Sequence, residues 1–165
     1  MRANEFGNIK EIPWDSNPII GWWENNNPLR MYHGTDKMHL ESFAKHGLNR
    51  PDPRTGMYSL AFEPFTARAF AVMGGEARFL AAQSKALVVP EDRRVVVVFD
   101  LPKDWVEQYK DSDFHGNDYE HKLRLKYHEV YEQFHSSDQQ YYQLCELRVS
   151  NAIPTKFIVG YMQKN

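Results

Sequence analysis

Four consecutive valines and a phenylalanine, Val95 to Phe99, leave this stretch little choice but a strand. β-Branched and aromatic side chains suit the pleated surface of a sheet, and the run is bounded by Arg93 and Arg94 before it and Pro102 after it. Such a strand needs partners. The chain offers Arg30 to His33 and Met57 to Phe62 ahead of it, and Leu144 to Val149 and Thr155 to Tyr161 behind it. Helices fall between them. Asp36 caps one that reaches about His46, with Met38, Leu40, Phe43 and Ala44 as its apolar face and Gly47 as its stop. Glu63-Pro64 opens a second, carried by Thr66 to about Val72, because proline is tolerated in a first turn. Asp104 to Lys110 reads as a helical turn, and Arg78 to Leu87 as a further helix or a mobile segment. Asp118 to Phe134 reads as a longer helix, with Tyr119, Leu123, Tyr127, Val130 and Phe134 recurring at helical spacing. Strands and helices alternate at first, and strands dominate the end. That order predicts a mixed α+β domain on an antiparallel or split sheet, not a doubly wound parallel one.

At 165 residues the chain suits one domain with a core of its own. Residues 1–28 are rich in Asn, Pro and Trp without a period, and read as an irregular arm pinned by its tryptophans to a domain over 29–165. A net charge of -2 and a pI near 6.4 argue against a dedicated nucleic-acid binder, which carries a basic excess. No run approaches the ~18 apolar residues of a membrane span. Met1 to Lys10 is polar, so no standard secretory signal is present; the expectation is a cytoplasmic protein, or one exported by another route. Cys145 has no partner for a disulfide or a thiolate cluster. The histidines include no His-x-x-x-His, and His121 and His128 stand a heptad apart, so no metal is expected. Walker, Gly-x-Gly-x-x-Gly and Gly-x-Ser-x-Gly loops are absent too.

Chemistry concentrates in a few short islands. His33 can donate or accept a hydrogen bond, and Gly34 beside it lets a ligand approach the backbone closely. Gly56-Met57-Tyr58 puts a ring at the start of a strand, and Thr66-Ala67-Arg68-Ala69-Phe70 a hydroxyl and a second ring at the start of a helix. Glu146 opens the run Leu147-Arg148-Val149 just after the polar, aromatic loop Ser136 to Tyr142. Each has a plain structural reading: a strand-end histidine, a turn glycine, a half-buried strand tyrosine, a solvated glutamate.

In this order the islands resemble the three motifs of the ADP-ribosyltransferase superfamily, in its diphtheria-toxin-like, His-Tyr-Glu branch. The likeness spans roughly residues 31 to 160 but is specific only at His33-Gly34-Thr35, Gly56-Met57-Tyr58 and Glu146. It implies a split antiparallel sheet with flanking helices, and a mono-ADP-ribosyltransferase with NAD as co-substrate and no metal. His33 would anchor a ribose, Gly34 hold the nicotinamide amide, Thr35 lie toward the adenosine, and Tyr58 stack on nicotinamide. Gly56 and Thr66 belong to the same binding surface. Phe70 would close the other face, although it stands one residue later than the family's spacing, which Ala69 occupies. Glu146 would carry catalysis by holding a ribose hydroxyl and stabilising an oxocarbenium-like sugar. Arg54, with Arg50 in the same loop, would neutralise the pyrophosphate. Tyr141 and Tyr142 fall where the family recognises its acceptor, a macromolecule and more readily a protein than a nucleic acid. Leu144 departs from the Glu-x-Glu pattern of arginine-specific members. Small members of this kind are often toxins or effectors. NAD glycohydrolysis, or a binding module that has lost turnover, would leave the same motifs.

Overall fold

The computed structural model describes residues 9–15, 28–52, 55–71, 89–112, 114 and 146–164. The segments expected as helices over 78–87 and 118–134 and as a loop over 136–142 lie outside these residues.

The described chain is α+β. Five strands form one antiparallel sheet in the order β4-β2-β1-β3-β5, comprising β1 (Leu29–Asp36), β2 (Tyr58–Ala61), β3 (Arg94–Leu101), β4 (Glu146–Val149) and β5 (Ile158–Met162). The valine run is β3, and Val95, Val96, Val97, Val98 and Phe99 are all fully buried. Val95, Val97 and Phe99 join the main core with Leu29, Met31, Leu147 and Val149, whereas Val96 and Val98 join a second cluster with Tyr32, Ala61 and Ala67. A strand covered on both faces has no solvent side, which is why its sequence shows no polar alternation.

β1 pairs with β3 from Leu29↔Leu101 through Asp36↔Arg94. It therefore runs past the expected end at His33, because each following residue finds a partner. With β2 it pairs only at Tyr32↔Ala61, while β2 pairs with β4 along its whole length, from Tyr58↔Val149 to Ala61↔Glu146. The sheet is thus nearly divided, β4-β2 on one side and β1-β3-β5 on the other.

Asp36 does cap, accepting the Met38 N–H through Oδ1 at 3.1 Å. What it caps is a 3-10 turn, Lys37–His39, and the α-helix proper is α1 (Leu40–His46). The tighter turn leaves Met38 66% exposed, outside the apolar face formed by Leu40 and Phe43. Gly47 ends α1 at φ 68°, where an added Cβ would strike the Ile153 carbonyl. Thr155–Phe157 is likewise a 3-10 turn, not strand: Pro154 leads into it, and β5 starts only at Ile158.

α2 (Pro64–Ala71) packs across β1 at Gly34, and a Cβ there would collide with the Ala67 carbonyl. Glu63 accepts from both the Thr66 N–H (3.2 Å) and the Thr66 hydroxyl (2.6 Å), fixing the start of the helix. α3 (Lys103–Tyr109) buries Val106 in the main core. Residues 9–15 of the N-terminal arm run along the sheet edge. Tyr161 N–H donates to the Lys10 carbonyl (2.9 Å), Ile12 N–H donates to the Tyr161 carbonyl (2.8 Å), and Ile9 joins the main core. Trp14 meets Phe65 of α2 edge-on, ring centroids 5.6 Å apart.

Candidate functional site

A pocket of about 480 Å³, its open mouth included, is lined by Tyr32, His33 and Gly34 of β1 and by Ser59, Leu60 and Ala61 of β2. These residues bracket the single β1–β2 pair, so the pocket lies where the two strands part company. Phe70 of α2, Glu146 of β4, and Arg50 and Asp52 of the loop before β2 complete it.

His33 spans the parting. Its Nδ1 lies 2.9 Å from the Ser59 carbonyl oxygen. A carbonyl only accepts, so Nδ1 carries the proton, and in the neutral ring Nε2 is then the acceptor. A side-chain bond thus joins β1 to β2 beyond the reach of their backbone ladder. Phe43 supports the ring from the core side, 5.7 Å between centroids.

Glu146 is the first residue of β4, opposite Ala61, with a side chain only 10% exposed. Arg148, two residues on and on the same strand face, places Nη2 3.4 Å from Glu146 Oε2. That is longer than a charge-assisted hydrogen bond of about 2.8 Å, so the pairing is a loose ionic one that leaves carboxylate lone pairs for a ligand. Burial pushes the Tyr32 hydroxyl up to about 12, partly opposed by Arg30, so it remains a neutral phenol. Burial likewise raises the Glu63 carboxyl above the usual carboxylate range, against the two hydrogen bonds from Thr66.

The expected site residues divide. His33, Gly34, Phe70 and Glu146 line one pocket, although more than a hundred positions separate the first from the last. Tyr58 does not line it. Strand alternation sends its half-buried ring to the main core, while Ser59 and Ala61 turn to the α2 face. Thr35 is fully buried, and its Oγ1 meets no hydrogen-bond partner among the described residues. The Thr66 hydroxyl is engaged by Glu63. Gly56 adopts φ 69°, and a Cβ there would meet nothing within 4 Å, so the position requires glycine's backbone and not its small size. Its N–H donates to the Asp52 carbonyl (2.7 Å), helping to close the loop that carries Arg50 and Asp52 to the pocket. Arg54, Tyr141 and Tyr142 lie outside the described residues.

Tyr32, Asp52 and Ser59 were not legible as site residues. Tyr32 adjoins His33, which suggests the opposite strand face; both reach the pocket only because the sheet opens there. Ser59 becomes significant only once the register with β4 is known. No sequence signal singles out Asp52. Among the described residues no group of three or more His, Cys, Asp or Glu could hold a metal ion. No helix among them is long and apolar enough to cross a membrane.

No family model matches the chain, and a search of the curated proteins finds no match.

Proposed function

We propose that the chain is a mono-ADP-ribosyltransferase of the His-Tyr-Glu kind that cleaves NAD and passes ADP-ribose to a macromolecular acceptor. The observation that carries this reading is the meeting of His33, Gly34, Phe70 and Glu146 in one pocket at the parting of β1 and β2. The pocket's apolar walls and few convergent polar groups are those of a small-molecule site, here read as holding the nicotinamide riboside end of the dinucleotide.

In the reaction the bond between ribose C1′ and the nicotinamide nitrogen breaks. The electron pair leaves with nicotinamide, whose ring loses its positive charge, and the sugar becomes oxocarbenium-like. A lone pair of the acceptor then bonds to C1′, and the acceptor's proton is released. Glu146 accepts a hydrogen bond from the ribose 2′-hydroxyl, and its negative charge stabilises the cationic sugar most strongly at the transition state. His33, held by the Ser59 carbonyl, presents Nε2 to the ribose. Phe70 takes the place nearest the nicotinamide ring, a contact the sequence motif gives to Tyr58. Arg50 is the pocket's cation for the phosphates.

Incubation of a lysate with NAD labelled in its ADP-ribose half tests the reading. Label on a macromolecule, with nicotinamide released, supports transfer; free ADP-ribose alone shows hydrolysis instead. Glu146→Gln is expected to lower nicotinamide release about 100- to 1,000-fold while changing NAD affinity only a few-fold, because it removes a charge that matters chiefly at the transition state. Unchanged release in Glu146→Gln would remove Glu146 from catalysis.

A further inference from the structure

Ser59, like Tyr32 and Asp52, is a polar residue of this pocket that no motif claims. Its Oγ is buried and meets no hydrogen-bond partner among the described residues, yet Ser59 is part of the pocket wall. Its backbone is held in place, since the carbonyl accepts from His33. The β2–β4 register sets Ser59 opposite Arg148 and Ala61 opposite Glu146. Ser59 and Glu146 are therefore diagonal neighbours on one face of the sheet, about 7 Å apart at their Cβ atoms, close enough for both side chains to meet one small group.

Buried hydroxyls are nearly always hydrogen-bonded, and one in a pocket wall is placed to bond a ligand. The chemistry of the pair narrows the ligand. An ionised carboxylate only accepts, whereas a hydroxyl both donates and accepts. Two adjacent hydroxyls on one side of a sugar ring match that pair, one donating to the carboxylate while the other exchanges a hydrogen bond with the serine. We infer that Ser59 is a specificity-determining residue that binds the 3′-hydroxyl of the same ribose whose 2′-hydroxyl Glu146 holds, so that the pocket selects a sugar with an intact cis-diol. This rests on the transferase reading above. It adds to that reading a substrate requirement which His33, Tyr58 and Glu146 do not impose.

The test is steady-state nicotinamide release by wild type and Ser59→Ala, on NAD and on an analogue lacking the 3′-hydroxyl of the nicotinamide ribose. Loss of one neutral hydrogen bond made equally in ground and transition states raises KM roughly three- to tenfold and leaves kcat unchanged. Ser59→Ala is expected to show that rise on NAD and none on the analogue, and wild type to show it on moving from NAD to the analogue. Ser59→Thr, which keeps a hydroxyl, should restore most of the affinity. Equal losses on both substrates would reduce Ser59 to a packing role, and no loss on NAD would remove it from the site. Either outcome overturns the inference while leaving the transferase reading intact. If wild type released no nicotinamide from NAD, the reading and the inference would fall together. Should Ser59→Ala lose its cooperative thermal transition, Ser59→Cys, nearly isosteric and weakly hydrogen-bonding, carries the same comparison.

Discussion

Gly34 serves two requirements that its sequence context does not separate. Beside His33 it permits close approach of a ligand to the backbone; beneath α2 it permits close approach of a helix, whose Ala67 carbonyl occupies the space a Cβ would need. The colliding atom is backbone and cannot swing aside, so Gly34→Ala forces the helix off the sheet. We expect it to destabilise the fold by at least about 3 kcal/mol, measured by urea denaturation. Gly56→Ala is the contrasting case. There the space is open and only the positive φ is lost, at a cost of about 1 kcal/mol. Equal stability of the two variants would contradict the packing of α2 on β1. His33 and Glu146 could be singled out from sequence because the short motifs that carry them are local information, although His33 lies inside β1 and not at its end. Ser59 and Asp52 could not, since what brings them to the pocket is a register and a loop closure set by residues far along the chain.

At the scale of elements, the start of α2 couples local structure to pH. Glu63 is buried, accepts twice from Thr66, and lies in a part of the protein that raises its carboxyl pKa mainly by desolvation. Its folded pKa therefore exceeds the unfolded value near 4.5. Between the two values the native state binds the extra proton, so this contribution to stability is fully present below the unfolded pKa and is lost as pH rises through the folded one. Glu63→Gln keeps an acceptor for Thr66 and removes the titration. It should flatten the fall in stability as pH rises above about 4.5, as followed by urea midpoints at several pH values; an unchanged slope would mean that Glu63 is not its source. Thr66→Val, which removes the hydroxyl but not the shape, should lose about 1 kcal/mol. The start of α2 was legible from Glu63-Pro64 because a first-turn proline is a local signal. Strand ends were less so. β1 runs on to Asp36 because β3 supplies partners, and β5 starts late because Pro154 leads into a 3-10 turn. The span of β3 is legible from its valines and Pro102, but the pairing that extends β1 along it and the 3-10 turn before β5 are not.

Both edges of the sheet are covered: β4 by the segment Tyr109 to Asp111, whose Asp111 N–H donates to the Arg148 carbonyl (2.8 Å), and β5, on the flank away from the pocket, by the N-terminal arm. The pocket belongs to the β4-β2-β1 side, whereas β5 forms the other flank and is covered by the segment Lys10 to Ile12. Gly160 admits that segment, since a Cβ there would lie 2.6 Å from the Lys10 carbonyl oxygen. An uncovered β5 would offer unpaired backbone to a second chain. Ile12→Pro removes the N–H that donates to Tyr161, and Ile12→Ala removes only side-chain packing, so the difference between them isolates the backbone bond. We expect Ile12→Pro to be less stable than Ile12→Ala by about 1–2 kcal/mol and to aggregate at a lower temperature, seen in thermal melts followed by light scattering. Lys10 contributes through its carbonyl, so Lys10→Ala should stay within about 0.5 kcal/mol of wild type. If the two flanks are independent, nicotinamide release by Ile12→Pro, assayed well below its melting temperature, keeps the wild-type KM and kcat. A change in either would mean that the covered edge and the pocket are coupled through β3 and β1, the strands that connect them.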